Sequence, residues 1–420
     1  MDETTEKGML TDNNEAFEKY KNKRWVLLAL GVLIMVSVSV CYGWSLLSAP
    51  ISKEFSSWNE TMGGFTFTAF MYSYGIFGVV GGVLAQKVKK IHINLSIAAL
   101  CMGIGFWLSS FAQDFTLLLI GFSLLGGAGA AFAYNAVVVT ITKWFPDRVG
   151  FATGSVLMGF GMGPFVIGNL YTLVVQGGMV WQNAFQWLGS LICALLIVGV
   201  IFLKDPPTEY APPKRPPKVD RYPVETQEMA PLQMIKRWSF WILFVMGCTA
   251  TMPSMVYSGF GRQLVQNVSQ TVDPSTVALI VGSISLANGI GRVVTGVIND
   301  RFGMGFTIRV SSIGVVLGVT LILFSTLMQS LVLMAIALWI AGFTAGMSAP
   351  NGALVTRKLY GDKNYQVNLQ VLMLAVFVNS LGVTIFGGVY EMSGGFILPL
   401  ITLIGISCIG FICACLIKKP

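Results

Sequence analysis

The side chain best placed to do chemistry is an arginine in an apolar setting. In 284-ISLANGIGRVVTGVINDRFG-303, Arg292 lies inside a hydrophobic, glycine-rich run, eight residues before the first acid, Asp300. A guanidinium presents a planar fork of N–H donors that matches a carboxylate in bidentate fashion. An arginine without a neighbouring acid is therefore suited to hold a small anion. Asn288, four residues earlier, shares its helix face and can hydrogen-bond either the guanidinium or an anion that it holds; the alternative is a helix-helix packing bond. The single histidine, His92 in KKIHIN, reads as a surface or interfacial residue. The seven cysteines (41, 101, 193, 248, 408, 413 and 415) fall in apolar runs without metal-ligand spacing. They read as small core hydrophobes, and neither a metal nor a cofactor is expected.

The surroundings of Arg292 follow from composition. Of 420 residues, 54% are hydrophobic and only 11% charged, whereas soluble domains carry roughly a quarter charged residues. Runs long enough to cross a hydrocarbon core of about 30 Å occur at 25–48, 62–85, 91–112, 115–141, 149–173, 184–203, 237–260, 275–298, 305–326, 330–354, 365–389 and 394–417. The expected class is an all-α membrane protein of twelve spans. The first 24 residues are polar, with six acids and five bases, so no signal peptide is expected ahead of the first span.

Lys and Arg near span ends stay on the cytoplasmic side. With the tail (1–24) cytoplasmic, the even-numbered connections carry nearly all the other bases; the opposite face has only Lys53 and Arg262, and of 27 basic residues Arg292 alone falls deep inside a span, away from its ends. Both termini are thus expected in the cytoplasm of a cell-membrane protein, and the formal charge of +8 is explained by orientation rather than by nucleic acid. The segment 204–236, with eight prolines and mixed charges, reads as an extended cytoplasmic linker between a six-span half (25–203) and a second (237–417), followed by a short tail at 418–420. A shared pattern after the second span of each half, GGVLAQKVKK (81–90) and TGVINDRFGM (295–304), suggests an internal repeat. Many secondary transporters are built this way, with the substrate site between the halves near the midplane.

At a rise of about 1.5 Å per residue, Arg292 lies about 12 Å inside Asp300. Burial of a guanidinium there costs at least about 2.5–3.5 kcal/mol on insertion scales. The acids are in the tail, in loops or at span ends, among them Glu54, Glu60, Asp114, Asp273 and Glu391. None is expected near Arg292, which leaves an anionic ligand, or snorkelling to the cytoplasmic interface.

Four stretches carry a family resemblance. GVINDRFG (296–303) resembles the G-x-x-x-D-R-x-G loop signature of the major facilitator superfamily, and KWFPDRVGFATG (143–154) resembles the loop between helices 4 and 5 in one branch of it. More specifically, YGWSLLSAPI (42–51) on helix 1, AYNAVVVTITKWFPDRVGFATG on helix 4 and its loop, SFWIL (239–243) opening helix 7 and NGIGRVVTGVINDRFG on helix 8 are similar to the bacterial oxalate:formate antiporter and monocarboxylate transporter group. The resemblance implies that Arg292 binds the substrate carboxylate, that Asn288 supports it, and that Tyr42, Tyr134 and Phe160 line the cavity. Core or interfacial packing is the alternative for the aromatics. It also implies a conformational role for Gly296, Asp300, Arg301 and Gly303, and for Asp147 and Arg148.

Two departures shape the expectation. The first-half loop motif is degenerate, with Gln86, Lys87 and Lys89 in place of Asp, Arg and Gly. Helix 11 (365–389) has no basic residue, where the oxalate exchangers of the resembled group place a lysine. One cation would leave a dianion uncompensated, so the expected cargo is a small monocarboxylate such as formate, lactate or pyruvate. With no titratable residue expected near mid-membrane, exchange for a counter-anion, facilitated diffusion, and symport with a proton held at the substrate–arginine site all stay open. Gln370 and Asn379 have no assigned role. The competing classes are dicarboxylate exchange, a drug or sugar carrier, and a transporter-like sensor. An enzyme is not expected, because the spans lack convergent His, Asp, Glu or Cys.

Overall fold

The computed structural model describes residues 3–55, 58–88, 91–147, 149–207, 210, 228–348, 350–361 and 364–417. Arg148 and Lys89 lie outside the described residues, as do the side chains of Gln86, Lys87, Asp300 and Gln370. In lipid every backbone polar group must be satisfied within its own segment, and the apolar runs accordingly form helices. They are α1 (Glu3–Val38, continued after a bend as Trp44–Glu54), α2 (Glu60–Val88), α3 (Ile91–Ser110), α4 (Phe115–Trp144), α5 (Val149–Gly163, continued to Gln176) and α6 (Trp181–Phe202). The second set is α7 (Trp238–Val268), α8 (Pro274–Phe302), α9 (Met304–Met328), α10 (Leu331–Ser348), α11 (Tyr365–Met373 and Ala375–Ser393) and α12 (Ile397–Leu416).

Ten of these are long and apolar enough by composition to cross a membrane among the described residues, and the bent α1 pair makes eleven. The remaining one, α2, has 29 residues, enough to span about 43 Å at 1.5 Å each. Polar residues mark the ends that begin on the face opposite the termini, here called the distal face. Asp114 accepts from the Leu117 amide at 2.9 Å, and Asp273 from the Thr276 amide at 2.9 Å. Those Thr276 bonds hold the exposed Asp273 carboxyl below its ordinary range. On the terminal face, Gly303 ends α8 with φ +81°, a left-handed conformation that a β-carbon disfavours. The glycine that closes the DRFG signature is therefore a backbone requirement.

The helix pairs repeat. In the first six, α1 packs on α5, α2 on α4 and α3 on α6; in the second six, α7 packs on α11, α8 on α10 and α9 on α12. Two seams join the sets, α2 against α11 and α5 against α8, and each maps onto the other when the sets are exchanged. Bulky apolar side chains such as Leu100, Phe111, Leu317 and Val332 stay exposed on the outside, as a lipid-facing surface requires.

Two differences from the sequence reading concern polar segments. The helix that forms the seventh span runs to Val268, eight residues beyond the expected 260, so Arg262 belongs to a partly buried helix face rather than to a loop. The linker is docked at both ends rather than uniformly solvated. Tyr210 is buried and donates to the Trp144 carbonyl at 2.8 Å, while Met229 exchanges backbone and side-chain bonds with Tyr360, Asn364 and Asn368. Pro231–Ile235 forms a short helix with Met234 fully buried. These segments are polar in composition, but each carries one or two apolar anchors, and the anchors decide the outcome.

The α8–α10 pair sets where Arg292 stands. A β-carbon on Gly346 would collide with the Asn288 carbonyl, and one on Gly291 with the Phe343 carbonyl, so glycine lets the two backbones touch. Gly346→Ala should displace α8 at Asn288 and cost about 1–3 kcal/mol, the usual overpacking penalty. Gly405→Ala, where a β-carbon meets nothing within 4 Å, serves as the control. Thermal melting of the purified proteins checks this: Gly346→Ala is expected to melt lower and Gly405→Ala unchanged. Equal melting temperatures would remove the close-contact account.

Candidate functional site

Arg292 emerges from α8 toward α5 and the interior. Its Nε donates to Asn288 Oδ1 at 3.1 Å, and its Nη1 donates across the seam to the Leu157 carbonyl on α5 at 3.3 Å. The intrahelical bond uses the four-residue spacing read from the sequence and fixes the guanidinium plane. Nη2 has no hydrogen-bond partner among the described residues. The electrostatic neighbours of the group are three phenols, those of Tyr42, Tyr134 and Tyr74. No ion pair involves Arg292 among the described residues; those present join Lys21 to Glu18, Arg24 to Asp147 and Lys143 to Asp205.

Each aromatic is positioned by a local feature. Tyr42 sits in the 3-10 turn Val40–Gly43 where α1 bends by 46°. Phe160 lies just before a wide π turn at Pro164–Gly168 in α5, and α4 carries a similar turn at Leu119–Gly126 before Tyr134. The rings close into one cluster: Tyr42 to Phe160 at 5.6 Å, Tyr134 to Phe160 at 5.7 Å, Tyr74 to Phe160 at 6.0 Å and Tyr74 to Tyr134 at 6.0 Å. These are edge-to-face or tilted contacts of the favoured separation. Phe160 is the buried hub, and the three phenols surround it. None of the three hydroxyls has a hydrogen-bond partner among the described residues. The arrangement is one cation and three neutral donors against an apolar wall, a set that can bind one carboxylate.

The structure thus brings together Arg292, Asn288, Tyr42, Tyr134 and Phe160, and adds Tyr74. The signal for Tyr74 was present in the sequence: a phenol midway along span 2 is far from either interface that would otherwise explain it. Asn379 belongs elsewhere. In the orientation that satisfies both of its polar atoms it accepts from Thr251 and donates to the Cys248 and Ala375 carbonyls at 3.0 and 2.9 Å, so it joins α11 to α7.

The motif residues are dispersed along the terminal face. Gly296 lies within α8, Arg301 is exposed on its last turn, and Gly303 caps it. Asp147 is buried and accepts from Arg24 Nη1 at 2.9 Å, and Tyr210 lies within 3.5 Å of the same nitrogen. The tail arginine is also over the Phe145 ring at 4.9 Å. Arg24, read simply as a tail residue, is thus a buried clamp joining α1, the α4–α5 connection and the linker.

Among the described residues, two seams join the halves. On the α2–α11 seam, Gly64 lets the Val383 carbonyl approach, Thr68 donates to the Ser380 carbonyl at 2.6 Å, and Tyr72 meets Phe377 at 5.1 Å. On the α5–α8 seam, Asn169 and Phe165 press on Gly282, and Met158 on Gly289. Beyond these levels, toward the terminal face, β-carbons on Gly78 of α2 and Gly154 of α5 would meet nothing within 4 Å. The Arg292 level is the last at which the halves bond between described residues.

Comparison with known proteins agrees with this geometry. The chain is 23% identical over 365 residues to an uncharacterized MFS-type transporter, YhjX, of Escherichia coli (strain K12), covering 86% of this chain and 87% of that one. It is 24% identical over 355 residues to the oxalate:formate antiporter of Oxalobacter formigenes, covering 81% and 80%. Among solved structures, a bacterial homologue of the human lysosomal transporter Spinster, in an inward-facing and unoccupied conformation, superposes with a TM-score of 0.69 at 14% identity, covering 93% of this chain and 97% of that chain. The family profile of the Major Facilitator Superfamily matches residues 27–387. With the mirrored pairing of its helices and that match across most of its length, the chain belongs to the major facilitator superfamily of membrane transporters.

Proposed function

We propose that this transporter carries a small monocarboxylate anion of the formate, lactate or pyruvate type by alternating access, with Arg292 as the carboxylate ligand. One observation carries the reading: a guanidinium at the seam between the halves whose electrostatic neighbours are phenols rather than acids. An unpaired cation inside the hydrocarbon region is costly, and a bound carboxylate neutralises it. Two oxygens can take the guanidinium fork while Tyr42, Tyr74 and Tyr134 donate to the remaining lone pairs. Asn288 keeps Nε engaged, which leaves Nη1 and Nη2 for the anion. One cation suits one negative charge. A dicarboxylate would bring a second charge into the apolar cage, where an uncompensated ion is destabilising.

The mechanism follows from that balance. The empty, charged site resists closure of an apolar gate over it, and the neutral complex does not, so substrate lowers the barrier to exchange of the open face. The halves would rock about the α2–α11 and α5–α8 seams. With Lys and Arg kept on the cytoplasmic side, the termini and the linker would be cytoplasmic, and the conformation described would then be open inward in a cell membrane. Six-helix halves at 25–203 and 237–417, joined by the linker at 204–236 and flanked by the tails at 1–24 and 418–420, are the units that would move. Gly296, Asp300, Arg301 and Gly303, with Asp147, lie near the ends that would close, and Arg148 would act with them. Transport would proceed by exchange with a counter-anion, by facilitated diffusion, or with a proton held at the substrate–arginine site. A carrier of another solute, or a ligand sensor, is the competing reading.

Two experiments test the reading. In proteoliposomes, Arg292→Ala should lower monocarboxylate uptake by roughly a hundredfold or more, since loss of a partner in a buried charged pair costs about 3–5 kcal/mol. Arg292→Lys keeps the charge without the fork and should fall between the two; full uptake by Arg292→Ala would sink the proposal. Separately, a melting-temperature screen should show stabilisation by formate, lactate or pyruvate and none by oxalate. A ligand at 100 times its Kd adds about 2.7 kcal/mol to the folded state. Stabilisation by a sugar or an organic cation instead would favour the competing reading, and saturable binding without flux would favour a sensor.

A further inference from the structure

The hydrogen bonds between described residues that cross from one half to the other are unevenly distributed. Four residue pairs lie at the distal ends. Glu391 of α11 accepts from both the Thr61 amide at 2.8 Å and the Thr61 hydroxyl at 2.7 Å, at the start of α2. Gln263 of α7 donates to Glu60 at 3.0 Å, Arg262 Nε donates to the Ser45 carbonyl just after the α1 bend at 2.9 Å, and Ser275 of α8 donates to Gln176 of α5 at 2.7 Å. Deeper in the seam Thr68 meets Ser380 and Thr384, and Arg292 meets Leu157. No such pair lies on the terminal side of Arg292 among the described residues.

Glu391 is the informative member. It sits two residues before the end of α11, which ends at Ser393, and an acid at a helix C-terminus opposes its own helix dipole. Its position makes sense only with respect to the helix opposite. The first amides of α2 have no intrahelical acceptor. Asn59 supplies one, taking the Met62 amide at 2.8 Å, and the Glu391 carboxylate from the other half takes the next. Gly387, one turn back on α11, allows the approach: a β-carbon there would lie 2.8 Å from the Glu60 carbonyl. Arg262 is anchored in a similar way, with Nη1 on Gln266 one turn along α7 and Nε on the α1 carbonyl.

We propose that the distal ends form a latch in which Glu391 caps α2 across the interface and Arg262 holds the α1 bend, so that these residues set the balance between the terminal-open and distal-open states. The proposal rests on alternating access between the halves and not on the identity of the cargo. Opening of the distal face must return the Thr61 amide and the Arg262 guanidinium to water, and a weaker latch shifts the population toward the distal-open state.

Hydrogen-exchange mass spectrometry on the full-length protein in nanodiscs, without substrate, tests it. In Glu391→Ala, exchange should rise severalfold in the distal ends of α2, α7 and α11. It should fall in the terminal-face segments joining α4 to α5 and α8 to α9, because that face closes as the other opens. Glu391→Gln should move both faces in the same directions but less. Arg262→Gln breaks a different contact of the same latch and should reproduce the two-face pattern. A rise confined to the first turn of α2 would mean a local cap only and would overturn the latch, as would a rise at both faces or no change at either. Failure of these variants to shift the two faces, while the parent still transports monocarboxylates, would sink the latch and leave the cargo reading intact; the reverse result would do the opposite.

Discussion

A charged guanidinium inside a bundle of apolar helices is the constraint around which the rest is arranged. Isolated in hydrocarbon it costs several kcal/mol, so its surroundings must supply polarity without a counter-charge that would cancel its use. Asn288 does this from the same helix face, and the Leu157 carbonyl does it from the facing half. Three phenols supply dipoles from α1, α2 and α4. Their rings pack on Phe160, so the polar tips stand on an apolar support that shapes the cage. The tight glycine contact between α8 and α10 then fixes the height of the arginine, because Asn288 is the residue whose backbone Gly346 touches.

The second organising feature is asymmetry across the membrane. The α2–α11 and α5–α8 seams are exchanged by the internal repeat, yet the polar contacts between the halves, in these seams and between α7 and α1 or α2, cluster among the described residues on one side of Arg292. Contacts of this kind are suited to a gate. Partly exposed polar bonds contribute little net stability each, so a set of them can hold one state and still be broken by a modest free-energy change. A fused apolar interface of the same area would not reopen on a useful timescale. The buried Arg24–Asp147 pair, backed by Tyr210, belongs to a different category: it ties the tail, the α4–α5 connection and the linker within one half.

Much of this was legible in the sequence because lipid imposes a simple rule on it. Apolar runs of about 20 residues become helices, and eleven of the expected twelve spans pass the length and composition test directly, counting the bent α1 as one. Arg292 stood out because charge is rare in such runs. What stayed hidden depends on three-dimensional neighbours. The helix around Arg262 continues past the end of its apolar run because Ser45 and Gln266 satisfy the guanidinium, and no local pattern reports that. The docking of Tyr210 and Met234 depends on pockets formed by distant helices. Tyr74 is one tyrosine of a YSY pair whose other member, Tyr72, packs on Phe377 instead; only the helix rotation separates them.

These features meet at the Nη1 atom of Arg292. Its bond to the Leu157 carbonyl is, among the described residues, the hydrogen bond between the halves that lies furthest toward the open face. On the carboxylate reading, an anion that takes the guanidinium fork competes with that carbonyl for the same donor, and a charged acceptor forms the stronger bond. Binding would then do two things at once: remove the net charge that an apolar gate cannot cover, and release the Arg292–Leu157 tie between α8 and α5. A ligand can shift an equilibrium only by its differential interaction with the two states. On that reading the Leu157 bond would supply such a difference, because it is present in the conformation described and would be exchanged for substrate contacts on closure. On the carboxylate reading, competition between one backbone carbonyl and one carboxylate would couple occupancy to movement without a titratable residue in the spans.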